Sequence, residues 1–298
     1  MEAAIVLARL AAFLTGTALF GAPLFLICSN RGQPEAPRLL RPVLVGVALV
    51  FLLATDVALI AQTGQMAGDL RLGMDVATLH DVLIGSAFGH SIVARAAASF
   101  VALVLLLRLG PGRRYWRTVA GLGAICLGAM AWGGHGAADP GAAGAVPTAA
   151  DVIHLLAAGT WLGALLCFVL LLRGQGEAEA QHQALKRFAT IGSAAVAAIL
   201  ASGLVNSWFL VGPHHLDGLI STAWGRLLLA KLALFALMLG LAAFNRWRLT
   251  PRLQASLAHD PAAALAALRL SVGLESALGL AILALVSVLG VLAPPASL

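Results

Sequence analysis

The chain has 298 residues, of which 60% are hydrophobic and only 11% charged. Soluble domains carry about 25% charged residues, and a chain of this length cannot hide so much apolar surface from water, so lipid is its solvent and a soluble globular class is excluded. The formal net charge of +6 does not imply nucleic acid as a partner, because basic residues flanking apolar spans serve to set orientation.

Eight stretches approach the ~20 apolar residues that a membrane helix needs. In chain order they are Ala3–Ile27, Pro42–Gln62, Gly89–Leu109, Thr118–Gly134, Ala150–Leu172, Ala184–Leu210, Trp224–Asn245 and Ala263–Leu292. The expected fold is all-α: a polytopic helical bundle of eight transmembrane helices, forming one integral membrane domain over 1–298. The first run starts almost at Met1, is too long for a signal-peptide core and lacks a basic leader, so it reads as a retained span.

The links alternate in charge. Those after the first, third, fifth and seventh spans hold Arg31, Arg38 and Arg41; Arg113, Arg114 and Arg117; Arg173, Lys186 and Arg187; and Arg246, Arg248 and Arg252. The other links hold only Arg71. Basic links stay in the cytoplasm, which predicts both termini outside. His80, His135 and the start of the His154 helix then lie on the outer side, whereas His182 and His259 fall in cytoplasmic links. Cys28, Cys126 and Cys167 share no C-x-x-C spacing and imply no disulfide framework.

The stretch "WGGHGAADPGAAGAVPTAADVIHLLAAGTWLGA" joins the fourth and fifth spans and carries His135 and His154. The short link makes the two spans antiparallel neighbours, so both imidazoles can face one another near the outer surface. Imidazole suits Cu, Zn, Fe and Ni, and a nearby carboxylate can orient it. Asp151, three residues before His154, fits that role or an N-cap of its own helix; a plain polar pair at the interface is the alternative to a metal site. His80, Met66 and Met74 in the second link are further outer candidates. No M-x-x-x-M run is present, so an outer site leans on imidazole.

Deeper in the bilayer lie Asp56, Lys231 and Glu275, with Asn206 towards a helix end. An isolated charge there is costly, so these side chains should pair or line an ion path. Asp56 and Lys231 each sit about 9–11 Å from the outer end of their spans at 1.5 Å per residue. Depth makes Asp56 the first choice of partner for Lys231 and Glu275 the second.

The segments "WGGHGAA", "DVIHLLAAGTWLGAL", "KRFATIGSAAVAAILASGLVNSW", "TAWGRLLLAKLALFALMLGLAAFNRWRLTPRL" and "RLSVGLESALGLAILALVSVLGVLAPP" together resemble the CopD/PcoD family of bacterial inner-membrane copper proteins. The likeness covers residues 132–295 well and residues 1–131 more loosely, through "GSAFGHSIVARAA" and the helix pattern. The resemblance implies a multi-pass inner-membrane protein, not an enzyme, that moves copper (Cu+ or Cu2+) from periplasm toward cytoplasm in copper homeostasis or resistance. It implies a periplasmic CopC-like partner, expected as a separate chain because no long polar stretch is fused here. Carried over by position, His135 and His154 match the family's histidines, and Trp161, Arg187, Asn206, Gly225, Lys231, Asn245, Arg269 and Glu275 match other recurring positions.

Two rival readings stand beside this one. A bis-histidine haem held by His135 and His154 would make the chain a transmembrane electron-transfer protein, although no C-x-x-C-H attachment is present. A scaffold that helps mature a copper enzyme without transporting the metal is the other. No G-x-x-x-x-G-K-[ST] loop is present, so there is no sign of ATP-driven pumping.

Overall fold

A computed structural model describes residues 1–29, 35–109, 112–133, 142–173, 178–213 and 215–297, and among these it contains helices and no strand. The elements are α1 (Glu2–Cys28), α2 (Glu35–Ala67), α3 (Val76–Gly85), α4 (Ala87–Arg108), α5 (Arg113–Gly128), α6 (Ala142–Arg173), α7 (Ala178–Leu210), α8 (Gly218–Ser221), α9 (Ala223–Phe244), α10 (Thr250–Ser256) and α11 (Ala262–Leu289). The protein is a membrane helical bundle.

Among the described residues, seven helical stretches are long and apolar enough to cross a bilayer: Glu2–Cys28, Leu40–Ala67, Ala87–Arg108, Gly144–Arg173, Ala178–Leu210, Ala223–Ser256 and Ala262–Leu289. The expected fourth span differs from these. It is α5, only 16 residues long, continued by a five-residue 3₁₀ turn at Ala129–Gly133. At 1.5 and 2.0 Å rise per residue the two pieces reach about 34 Å, enough to match a hydrocarbon core of about 30 Å. The expected seventh span is also longer than its apolar run. At Asn245 the helix does not stop but passes through a π-helical turn, Asn245–Leu249, into α10.

The first helix is the centre of the bundle. Leu19 and Ala22 are fully enclosed and Phe25 nearly so, as α1 packs against α2, α5 and α6. Its contact with α6 depends on small residues: a Cβ on Gly21 would meet the Gly159 carbonyl and Gly163 Cα, and one on Gly163 would meet Gly21. Gly159 and Gly163 are four apart, one turn of α6, and form the small-xxx-small contact that lets membrane helices approach closely. This contact sets the rotation of α6 and so aims the residues between Asp151 and Trp161. Further along, Phe25, Phe168 and Phe188 form an edge-to-face cluster with centroids 4.9 and 5.6 Å apart for the two closest pairs. It joins α1, α6 and α7.

Several basic residues of the links and span ends close helix ends. Arg41 Nε donates to the Leu106 carbonyl at 2.7 Å and its Nη2 to Leu107 at 3.2 Å. Arg269 Nε donates to the Leu172 carbonyl at 2.5 Å. The last carbonyls of α4 and α6 thereby gain a donor and a positive charge at the negative end of each helix dipole.

Candidate functional site

His154 projects from α6 toward α7. Its Nδ1 lies 3.1 Å from Ser202 Oγ, and Ser202 is almost wholly buried. The Ser202 hydroxyl has one proton, and it donates that proton to the Ala198 carbonyl at 2.6 Å. With that proton on Ala198, Ser202 can only accept from His154, and the matching tautomer carries the imidazole proton on Nδ1 and leaves the Nε2 lone pair free. That tautomer is the one a metal-ligating histidine needs, with its second nitrogen held by a neighbouring acceptor.

One turn earlier on α6, Asp151 Oδ1 accepts a 3.0 Å hydrogen bond from Asn206 Nδ2 on α7. Asp151 also feels the positive charges of Lys231 on α9 and Arg9 on α1, and Lys231 acts on His154. Five helix-borne side chains (Asp151, His154, Ser202, Asn206 and Lys231) thus gather near the start of α6. Asp151 lies inside α6, nine residues after its first residue. It is therefore neither an N-cap nor the group that orients His154, which Ser202 does instead.

The expected pairing of Lys231 with Asp56 is not what the structure holds. The carboxylate whose charge Lys231 feels is Asp151, while Asp56 is exposed on the outside of α2 between the exposed Leu53 and Val57. Equal depth was satisfied by the wrong carboxylate because depth does not specify which way a helix is turned. Glu275, the second choice, is 3% exposed and belongs to a separate network. Its Oε1 accepts from Trp161 Nε1 at 2.7 Å and its Oε2 from Asn245 Nδ2 at 2.9 Å. Trp161 lies two turns beyond His154 on the same face of α6, so this network sits about 10 Å further along the helix. Asn245 begins the π-helical turn, a distortion that often marks functional positions.

The other expected ligands are dispersed. Met66, Met74 and His80 are exposed, and His80 Nδ1 lies 3.7 Å from the equally exposed Asp81 carboxylate. No described hydrogen bond or ion pair joins them to His154. His135 falls outside the described residues, as does His214. Among the described residues no group of three or more His, Cys, Asp or Glu side chains is arranged to hold a metal ion. His182, expected in a solvated link, is buried within α7. Sequence reasoning missed Ser202 and Arg9, and it named Trp161 and Asn245 only through the family resemblance, without joining them to Glu275. The signal for Trp161 was present in its seven-residue spacing from His154; Ser202 carried none, since serine is ordinary in a membrane helix.

Comparison with known proteins gives the family. Residues 182–289 match the family model for Copper resistance protein D, and residues 1–145 match that for the Copper resistance protein D-like N-terminal domain. Copper resistance protein D of Pseudomonas syringae pv. tomato is 35% identical over 286 residues, covering 93% of this chain and 92% of that protein. Inner membrane protein YebZ of Escherichia coli K12 is 33% identical over 54% of each chain. Copper transport protein CutJ of Bacillus subtilis is 37% identical over 98 residues, which are 32% of this chain and 18% of that one. No solved structure matches. With a relative of that identity along nearly its whole length and family models on both halves, the chain belongs to the Copper resistance protein D family.

Proposed function

We propose that the protein is a copper permease of the bacterial inner membrane, which accepts copper at its outer face and passes it toward the cytoplasm. The observation that carries this reading is His154, whose Nδ1 is held by Ser202 while Nε2 is left free to bind metal. His135 would supply the second imidazole from the neighbouring link, with Met66, Met74 and His80 on the outer surface as transient ligands. Copper is the cargo, in either oxidation state, since imidazole accepts both. A periplasmic copper carrier of the CopC kind would deliver it. The names of the Pseudomonas and Bacillus relatives, which speak of copper resistance and copper transport, support a role in copper homeostasis; the Escherichia relative's name supports the inner membrane. The alternating arginines support an orientation with both termini outside.

The inner network of Glu275, Trp161 and Asn245 extends the polar route along α6, so Glu275 would serve the same path as an ion-handling carboxylate. Copper uptake by cells and copper binding by the purified protein test the reading. Replacing His154 or His135 by Ala should lower both by more than the 10–100-fold typical of groups that merely support a ligand, with the protein still inserted. Full copper binding by the double variant would refute it. A Soret band in the purified protein would favour haem in its place.

A further inference from the structure

Arg95 is 5% exposed on α4. Its Nε donates to the Ser91 carbonyl at 3.3 Å, an intrahelical contact that leaves the two terminal nitrogens of the fork unused. Arg9 on α1 makes only a long 3.5 Å contact from Nη1 to the Gly133 carbonyl, and its Nε is buried with no hydrogen-bond partner. The Phe13 ring lies 5.7 Å from its guanidinium carbon. The two arginines are close enough to act on each other electrostatically. They line one cavity of about 20 Å³ together with Gln62, Phe88 and Met130.

Two guanidinium groups lining one cavity inside the bundle repel each other, and an opposite charge between them relieves that cost. The one carboxylate that acts on either of them is Asp151, felt by Arg9, and Asp151 is shared with Lys231. Arg9 and Lys231 therefore share one carboxylate, and no carboxylate of the described residues acts on Arg95. The cavity has room for about one small species, which favours a monatomic anion over phosphate, sulfate or an organic acid. Its polar lining is rich in N–H donors: the two forks and the Gln62 amide.

We propose that Arg9 and Arg95 form a binding site for a single monatomic anion of the halide class, enclosed between α1, α2, α4 and the 3₁₀ turn after α5. Chloride accepts several convergent N–H donors and is only slightly larger than a water molecule. It supplies the negative charge that the helices around Arg95 lack. The site is separate from the proposed copper ligands and does not depend on the copper reading.

The full-length protein, purified in detergent at fixed ionic strength, provides the test, with chloride exchanged for gluconate, which is too large for the cavity. Equilibrium binding of radioactive chloride should be saturable. The unfolding midpoint should rise by several degrees with chloride or bromide and not with gluconate, because a ligand that binds only the folded state stabilises it. Arg95→Gln should remove both effects while copper binding persists. No saturable chloride binding in the unaltered protein, or binding unchanged in Arg95→Gln, would overturn the proposal. If Arg95→Gln does not fold, bromide anomalous scattering from crystals of the unaltered protein decides: a peak between the two guanidinium groups supports the site and its absence refutes it.

Discussion

In α1 to α5 the buried hydroxyls of Thr15, Thr17, Thr55 and Ser91 each donate to a carbonyl of their own helix, at 2.5 to 3.0 Å. From α6 onward, buried and half-buried side chains also bond one another across helices: His154 with Ser202, Asp151 with Asn206, and Glu275 with both Trp161 and Asn245. A hydroxyl bonded to its own helix satisfies itself and specifies no neighbour. A side chain bonded to another helix specifies depth and rotation at once, and it holds a chemical group at a defined place. Within the first half, shape matters through close approach of Gly123 to the α1 backbone, and the side-chain bonds that cross helices go to backbone carbonyls, Ser99 to Ala48 and Arg41 to Leu106. The second half is held by polar bonds that also carry chemistry.

The Glu275 network offers the largest way to break this contrast. Glu275→Ala leaves the buried Trp161 indole N–H and the Asn245 amide without their acceptor, at about 1–3 kcal/mol for each unsatisfied group. Glu275→Gln keeps an acceptor for one of them and should cost about half as much. Thermal unfolding in detergent, followed by tryptophan fluorescence, should order the variants as unaltered, Gln, Ala. Equal costs for Gln and Ala would mean that shape holds this half as well. As a control from the other half, Thr55→Val removes only an own-helix bond and should change the midpoint little.

Lys231 gives an intermediate effect. Lys231→Met leaves Asp151 with one fewer positive neighbour, and because Lys231 is half-buried the loss should be about 1 kcal/mol. Adding Asp151→Asn should recover the unfolding midpoint, because removing both charges leaves neither unpaired. Adding Asp56→Asn should recover nothing, since Asp56 faces outward on α2. Rescue by Asp56→Asn in place of Asp151→Asn would reverse the assignment of helix rotation made here.

The smallest effect lies outside the membrane. Asp75 caps α3, accepting from the Thr78 amide and hydroxyl at 2.9 Å each. The Thr78 amide bond, first among the causes, holds the Asp75 carboxyl below its ordinary value of 3.8. A lowered value in the folded state means that the cap contributes fully above the ordinary carboxylate range and is lost as pH falls through the lowered value. Amide exchange in Val76–Gly85 should therefore quicken below about pH 4 and quicken at neutral pH in Asp75→Ala. The bundle's unfolding midpoint should stay unchanged in both cases. A midpoint that moved with the cap would show that α3 is coupled to the packing of the first half.

Much of this was legible before any coordinates. Seven of the eight expected spans are long apolar helices, because apolar length is read directly along the chain. The eighth was harder to place: "RRYWRTVAGLGAICLG" is short and opens with arginines, and only its continuation into a 3₁₀ turn gives it full reach. His154 was also legible, since an imidazole and a carboxylate one turn apart stand out in a greasy helix. Its orienting group was not. Ser202 lies 48 residues away and becomes an acceptor for His154 only because its own proton is committed to Ala198.

By itself the sequence determined the solvent, the succession of spans, the alternation of basic links and the depth of each intramembrane charge, since all of these are properties of position along one dimension. Only the tertiary structure decided the partners. Each residue turns an α-helix by about 100°, so residues at equal depth on different helices point anywhere around the axis until packing fixes the rotation. On α6 that rotation is set by Gly159 and Gly163 lying against Gly21. It directs Asp151 to Asn206 and within reach of Lys231, and Trp161 to Glu275, while Asp56 on α2 is left facing outward.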